Sequence, residues 1–278
     1  MPAALLLSVL LVHPVANLDR QVVASVQATK RAMSRGDIVH AMLAGLVAIG
    51  SHYVKASEPE SCNWCDRDPS GQDTLNGFDR WVRLRLHARA PDAIRLADTA
   101  SDRLRDFAVV GLPLIAVVST SHDRKMRAVQ MLAWAHALST LTTESMKSLA
   151  ARERPYVHFE IAGVEEGSDR NRSYFSGHAS SAFVSLVAAA RTCRLLECRQ
   201  QKLIWLVGGP VAASVGLLRI TAEKHYASDV ATGAAVGALI GWIVPGLLDR
   251  GTSNGTVSLT IRPVTGRGRT GAVAVWEW

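Results

Sequence analysis

Three short clusters in this 278-residue chain combine residue types that could bind a small anion and carry out nucleophilic chemistry on it. The first is KSLAARERP, Lys147 to Pro155, in which Lys147 and Arg154 are seven positions apart. That is two helical turns, so both cations project toward one point if the helix persists that far. Pro155 would then end it. The second is YFSGHAS, Tyr174 to Ser180, where Ser176, Gly177 and His178 open the apolar run that begins at Ala179. Small, turn-forming residues ahead of a helix leave free backbone N–H groups, which bind anions. The third is RITAEKHYASD, Arg219 to Asp229, with His225 and Asp229 four apart and therefore neighbours on a helical face. Asp229 can hold one imidazole nitrogen while the other attacks. Each cluster alone has an ordinary structural reading, because a cation at a helix end is commonly a solvated cap and a His–Asp spacing of four is a common helix pair.

These clusters must be positioned by the apolar segments around them. Ile38 to Val54 reads as the first long buried or membrane helix, and Phe107 to Thr120, Ala128 to Met146, Ala179 to Ala190, Leu203 to Leu218 and Val230 to Leu248 follow. The expected fold class is all-α, a six-helix bundle embedded in a membrane. Between the first two segments, Lys55 to Asp106 is polar, with a turn-rich start at Asp66 to Gly77 and then a surface helix. Several apolar segments fall short of the roughly 20 residues that span a bilayer, so a buried soluble bundle is the alternative. Lys30, Arg31 and Arg35, the stretch His122 to Arg127 and the stretch Arg191 to Lys202 are basic. By the positive-inside rule they face the cytoplasm, which places all three clusters outside and both termini inside. The tail changes character: TVSLTIRPV and TGAVAVWEW are β-prone runs on either side of a GRGR turn, and they predict a C-terminal β-hairpin. The expected division is 1–37 as a signal-like or interfacial segment, 38–250 as the helical domain and 251–278 as the hairpin tail.

Hydrophobic residues make up 48% of the chain and charged residues 20%, with a formal net charge of +7. Such an excess of Lys and Arg attracts nucleic acid, anionic lipid or a phosphorylated substrate. The basic residues are dispersed and no helix-turn-helix, zinc-finger or RNA-stacking signature accompanies them, which argues against nucleic acid as a partner. The four cysteines form two close pairs, Cys62/Cys65 and Cys193/Cys198. They fit disulfides in an oxidising compartment or a zinc site in a reducing one, and the second spacing is poor for zinc. One or two disulfides, and no metal, are therefore expected. Leu5 to Val12 followed by Pro14 resembles a signal-peptide core without its basic n-region, which leaves a cleaved leader and an interfacial helix both open. His13, His40, His52, His87, His122, His136 and His158 lie outside the three clusters and read as structural or solvated. A gating role for His158 with Glu165 and Glu166, between the first two clusters, is the functional alternative.

Lys-x6-Arg-Pro, Ser-Gly-His and Arg-x5-His-x3-Asp, in that order, resemble the three-part signature of the type 2 phosphatidic acid phosphatase superfamily, which also includes bacterial acid phosphatases and vanadium haloperoxidases. The resemblance implies that Lys147, Arg154 and Arg219 hold phosphate oxygens while Ser176 and the Gly177 backbone complete the cradle. It implies His225 as nucleophile, Asp229 as the group that orients it, and His178 as the acid for the leaving oxygen and then an activator of water. The implied activity is metal-independent hydrolysis of phosphomonoester or diphosphate bonds through a phosphohistidine, with no cofactor and with a phosphorylated lipid or small phosphate ester as partner alongside membrane lipid. The implied location is a bacterial inner membrane with the site facing the periplasm, or the periplasm itself after leader cleavage. A vanadium-dependent haloperoxidase-like enzyme and a non-catalytic lipid-phosphate-binding membrane protein share the same residues. Two positions depart from the family pattern: Phe175 stands where Pro precedes Ser-Gly-His, and Leu218 where Ser precedes the third-motif Arg.

Overall fold

The computed structural model describes residues 59, 61–161 and 169–249, together with the backbone of 8–9, 250–251, 258–266 and 269–277. The N-terminal segment apart from Ser8 and Val9, the first apolar stretch Ile38 to Val54 and the pair Glu165/Glu166 lie outside the described residues. The chain divides into two compact units, Met42–Leu248 and a second made of Met1–Ala41 with Asp249–Trp278. In the second unit β1 (Ser8–Val9), β2 (Ser258–Gly266) and β3 (Arg269–Glu277) pair antiparallel in the order β1-β3-β2, and Thr265 faces Thr270 across the turn.

The first unit is helical. Among the described residues its elements are α1 (Gly77–Leu86), α2 (Pro91–Val118), a 3-10 turn at His122–Arg124, α3 (Lys125–Ala150), the short α4 (Pro155–His158), α5 (Gly177–Leu195), α6 (Gln201–Thr221) and α7, which runs from Ala227 and whose last residues pass into the second unit. The five long helices coincide with five of the six expected apolar segments. α2 differs in extent: it starts at Pro91, well inside the stretch expected to be a separate surface helix. Pro91 supplies a pre-set first turn. From there Ile94, Ala97, Ser101, Ala108, Leu112 and Ala116 make one continuous buried stripe at three-, four- and seven-residue intervals. The charged half of α2 therefore shares an inner face with its apolar half, and one helix results.

α3 shows the second difference. It does not reach Arg154 but ends at Ala150, where Ala151 adopts a left-handed conformation (φ 42°, ψ 45°) and its N–H closes onto Lys147 O. Such a residue is a common helix terminator. Beyond it Arg152 forms a bridge with Trp64, and Arg154 is the N-cap of α4. Lys147 and Arg154 thus come near each other across a break in the helix and not along two turns of one.

α5 is the central element, packed against α2, α3 and α6. Its small residues, from Ala179 and Ser180 to Ala190, are almost entirely buried. α7 lies directly on the α5 backbone through a glycine every fourth residue. A Cβ at Gly233 would stand 2.4 Å from Ser176 O, one at Gly237 2.2 Å from Ser180 O, and one at Gly241 2.9 Å from Ala188 N. No side chain fits those gaps, so glycine sets the closeness of this pair. The long helices alternate in direction. The start of α2, the end of α3, the start of α5, the end of α6 and the start of α7 therefore gather at one end of the bundle, which holds all three sequence clusters.

Leu114 and Val118 on α2, Leu206 and Leu217 on α6, and Leu239 and Leu247 on α7 face outward. Gln201–Thr221 and Ala227–Asp249 are long and apolar enough to cross a membrane. Both cysteine pairs close locally, with Cα–Cα distances of 5.4 Å for Cys62–Cys65 and 4.8 Å for Cys193–Cys198. One pair lies beside Ala151 and the other at the far end of α5, so the two do not converge on one zinc ion.

Candidate active site

The site is assembled from helix ends. Lys147 leaves the last turn of α3 and sets its Nζ 2.8 Å from Glu144 Oε1. The same ammonium lies close to the start of α5, where a Cβ on Gly177 would stand 3.4 Å from it. Ser176 caps α5, its Oγ accepting from Ala179 N, while its own N–H donates to Asp229 O at 3.0 Å. The first-turn N–H groups of Gly177 and His178 have no partner within the helix, so this end of α5 attracts an anion.

Arg154 enters from the segment beyond α3. Its Nε donates to Asp169 O at 2.8 Å, Nη1 to Lys224 O at 3.2 Å and Nη2 to Asp169 Oδ2 at 2.6 Å. Arg219, on the last turn of α6, pairs with Asp98 of α2. Both guanidiniums are nearly buried. Lys147, Arg154 and Arg219 all raise the potential at His225, so the structure brings the three predicted cations to one place.

His225 sits in the link between α6 and α7, with 2% of its surface exposed. Its Nδ1 is 2.8 Å from Ser173 O. A carbonyl only accepts, so Nδ1 carries the proton and Nε2 keeps its lone pair. Burial, reinforced by Arg154, Arg219 and Lys147, holds the pKa of this imidazole well below its ordinary value. His225 is therefore neutral at neutral pH, with one nitrogen ready to attack.

The relation between His225 and Asp229 is indirect. Asp229 Oδ2 lies 3.8 Å from Nδ1, beyond hydrogen-bond range. That oxygen accepts instead from Ser173 Oγ at 2.6 Å and from Tyr226 N at 3.0 Å, while Oδ1 accepts from Arg152 Nη1 at 2.7 Å. Ser173 is the joint, binding Asp229 through its hydroxyl and His225 through its carbonyl. Arg152 is fully buried and is shared among Asp66, Asp79 and Asp229, and it also donates to Ser228 Oγ. Trp64 and Tyr226 stack on its guanidinium, each ring centroid at 4.1 Å. Asp79, from α1, completes this support by accepting from Ser228 N and Oγ at the start of α7.

His178 stands in the first turn of α5 with Nε2 2.6 Å from Asp102 Oδ1 and 3.3 Å from Arg105 Nη1. The shorter contact is to an acceptor, so the proton lies on Nε2 and points at the carboxylate.

Sequence reasoning did not single out Arg152, Ser173, Asp98, Asp102, Asp169 or Glu144. Asp98 and Asp102 are four apart on α2, a same-face spacing that carries no signal until the helix is known to reach the site. Among the remaining histidines, His158 is held between Asp73 and Glu153, and His136 meets Ser185 Oγ at 2.8 Å. Both make structural contacts.

No curated protein matches the chain at a significant level. Two crystal structures are similar to it. One is the first transmembrane PAP2 type phosphatidylglycerolphosphate phosphatase from Bacillus subtilis, at a TM-score of 0.48 and 19% identity, over 75% of this chain and 96% of that one. The other is LpxE of Aquifex aeolicus, at a TM-score of 0.43 and 23% identity, over 61% of this chain and 95% of that one. The family model described as PAP2 superfamily matches residues 128–252, a stretch that contains every residue of the three clusters.

Proposed function

We propose that this protein is a membrane phosphatase that hydrolyses phosphate esters of lipids without a metal, through a phosphohistidine on His225. The observation that carries this reading is the convergence of Lys147, Arg154 and Arg219 around a buried, neutral His225 whose Nε2 is unprotonated. Three cations oppose the charge of a phosphoryl group and support its trigonal-bipyramidal transition state by preorganised electrostatics. Ser176 and the Gly177 N–H complete the cradle. In the first step a bond forms between His225 Nε2 and phosphorus, the bond to the leaving oxygen breaks with its electron pair, and the imidazolium form of His178 protonates that oxygen from Nε2 and is left neutral. In the second, water attacks phosphorus, gives its proton to His178, and the P–N electron pair returns to His225. Asp229 acts through Ser173 to fix the ring.

The reading includes a six-helix core with an appended C-terminal hairpin, set in a bacterial inner membrane with the site on the outer side. The outward apolar side chains of α2, α6 and α7 support it, as does the presence of two helices of spanning length. A phosphorylated lipid would then reach the cradle from the bilayer beside it.

The test is phosphate release from lipid and soluble phosphate esters in the presence of EDTA, for the wild type and His225→Ala. EDTA-resistant release that vanishes in the variant is expected. Release that survives in the variant would remove His225 as nucleophile, and no release from any ester would remove the phosphatase reading.

A further inference from the structure

The cradle carries its own anions, and they crowd one side. Asp98 pairs with Arg219 and lies 3.5 Å from Lys224 Nζ through its other oxygen. Asp102, one turn further along α2, is 2.6 Å from His178 Nε2 and 3.8 Å from Arg219 Nη1. The side chains of Asp98 and Asp102 are 31% and 50% exposed, against 6% for Arg219. The cation is therefore the floor of this side, and the two carboxylates are its outer wall. Arg105 also approaches His178, but it is paired with Asp106 at 2.7 Å. Asp98 is thus matched by Arg219 and Lys224, and Asp106 by Arg105, which leaves Asp102, bonded to His178, as the carboxylate of this wall whose ion pair with Arg219 is the long one, at 3.8 Å.

We propose that Asp98 and Asp102 are specificity-determining residues that select phosphomonoesters, whose leaving group is a neutral alcohol, against diphosphates, whose leaving group is itself a phosphate anion. This rests on the phosphohistidine reading, because it takes His178 as the group that meets the leaving oxygen. That oxygen must come to His178 Nε2, where Asp102 stands. With a monoester, the atoms beyond it are uncharged and can donate hydroxyl groups to the two carboxylates. With a diphosphate, they are a second phosphoryl group whose negative charge meets Asp98 and Asp102 at close range.

Proton supply works in the same direction. Burial, and then Arg219, Arg105 and Lys147, oppose protonation of His178, and Asp102 is the carboxylate bonded to it. An alkoxide is a poor leaving group and needs the proton, whereas a departing phosphate needs it far less. Asp102 therefore aligns the Nε2 proton where the leaving oxygen arrives and disfavours phosphate departure by charge.

The experiment measures kcat/KM of the full-length protein in neutral detergent micelles with EDTA, using dioctanoylglycerol phosphate and dioctanoylglycerol diphosphate. These carry the same two acyl chains and differ only in the second phosphoryl group. Preference of the wild type for the monoester is expected at about tenfold or more, the scale on which one close like-charge contact discriminates. Asp102→Asn and Asp98→Asn should each raise turnover of the diphosphate, and Asp102→Asn should also lower kcat on the monoester. Thermal unfolding of each variant in the same micelles reports that it is folded, and Asp102→Glu, which keeps the charge, should keep the preference. A wild type that prefers the diphosphate would overturn the inference, as would a ratio that stays within twofold in both Asn variants. Release from neither ester by the wild type would overturn the phosphatase reading and this inference with it.

Discussion

Arg152 Nη1 lies 2.7 Å from Asp229 Oδ1, and neither side chain has any exposed surface. The pair is one arm of a guanidinium that also serves Asp66 and Asp79. Its removal would leave three buried or nearly buried carboxylates without their cation. Breaking a buried pair by deleting one partner costs about 3–5 kcal/mol, more than the intact pair is worth. Arg152→Met is expected to lower the unfolding temperature sharply in detergent. Arg152→Lys keeps the charge but loses the planar fork and is expected to fall between. Near-wild-type unfolding of Arg152→Met would show that the network is not structural.

His225 gives a pH dependence whose sign follows from its environment. Burial and the nearby Arg154, Arg219 and Lys147 depress its pKa in the folded protein, whereas in the unfolded chain it titrates near 6.5. The unfolded state then binds more protons below about pH 6.5, so stability is full above that value and declines as pH falls through the acid range. His225→Asn keeps a donor for Ser173 O and removes the titration. The unfolding temperature of the wild type should fall between pH 6.5 and pH 4.5 more steeply than that of the variant, and parallel curves would contradict the assignment.

The eight cluster positions were legible because their spacing is local and the helix ends that carry them fall at apolar boundaries. Much of what supports them was not legible. Arg152 reaches Asp66, Asp79 and Asp229 across 86, 73 and 77 residues of sequence, and nothing local marks those pairings. Ala150 and Ala151 are strong helix formers, so KSLAARERP reads as unbroken helix. The chain leaves the helix at the left-handed Ala151, where Arg152 enters its carboxylate cage, and Arg154 caps α4 instead of continuing α3. Asp98 and Asp102 were hidden for the opposite reason. Their segment looked like solvated surface because its charges outnumber its buried stripe, which emerges only when Ile94, Ala97 and Ser101 are aligned with Ala108 and Leu112.

Gly237 and Gly209 should respond to alanine with opposite signs. A Cβ at Gly237 would meet Ser180 O at 2.2 Å, and that atom belongs to the backbone of the helix that presents Ser176 to His178. Relief requires α5 and α7 to separate, at a cost of about 1–3 kcal/mol by analogy with overpacked cores, and the cradle would shift with them. At Gly209 there is nothing within 4 Å. Alanine there removes chain entropy from the unfolded state and should stabilise by about 0.4–1 kcal/mol. Thermal unfolding with phosphate release measured on the same samples checks both, and a neutral Gly237→Ala would mean that the two helices do not pack this closely.

The cysteine pairs stand at opposite ends of the helical unit, and that makes them reporters of topology. Cys62–Cys65 lies at the site end, since Asn63 N donates to Ala151 O and Trp64 stacks on Arg152. Cys193–Cys198 closes the last turn of α5 at the far end. Both pairs are close enough to bond, so in a cell the compartment decides which of them is oxidised. If the bundle spans an inner membrane with the site outside, Cys62–Cys65 should survive acid quenching and denaturing alkylation as a disulfide, while Cys193 and Cys198 should be alkylated as thiols. Mass spectrometry of the two peptides reads this directly. Protection of both pairs would place both ends in an oxidising compartment, and the protein would then be an exported phosphatase whose outward leucines pack against something other than a bilayer.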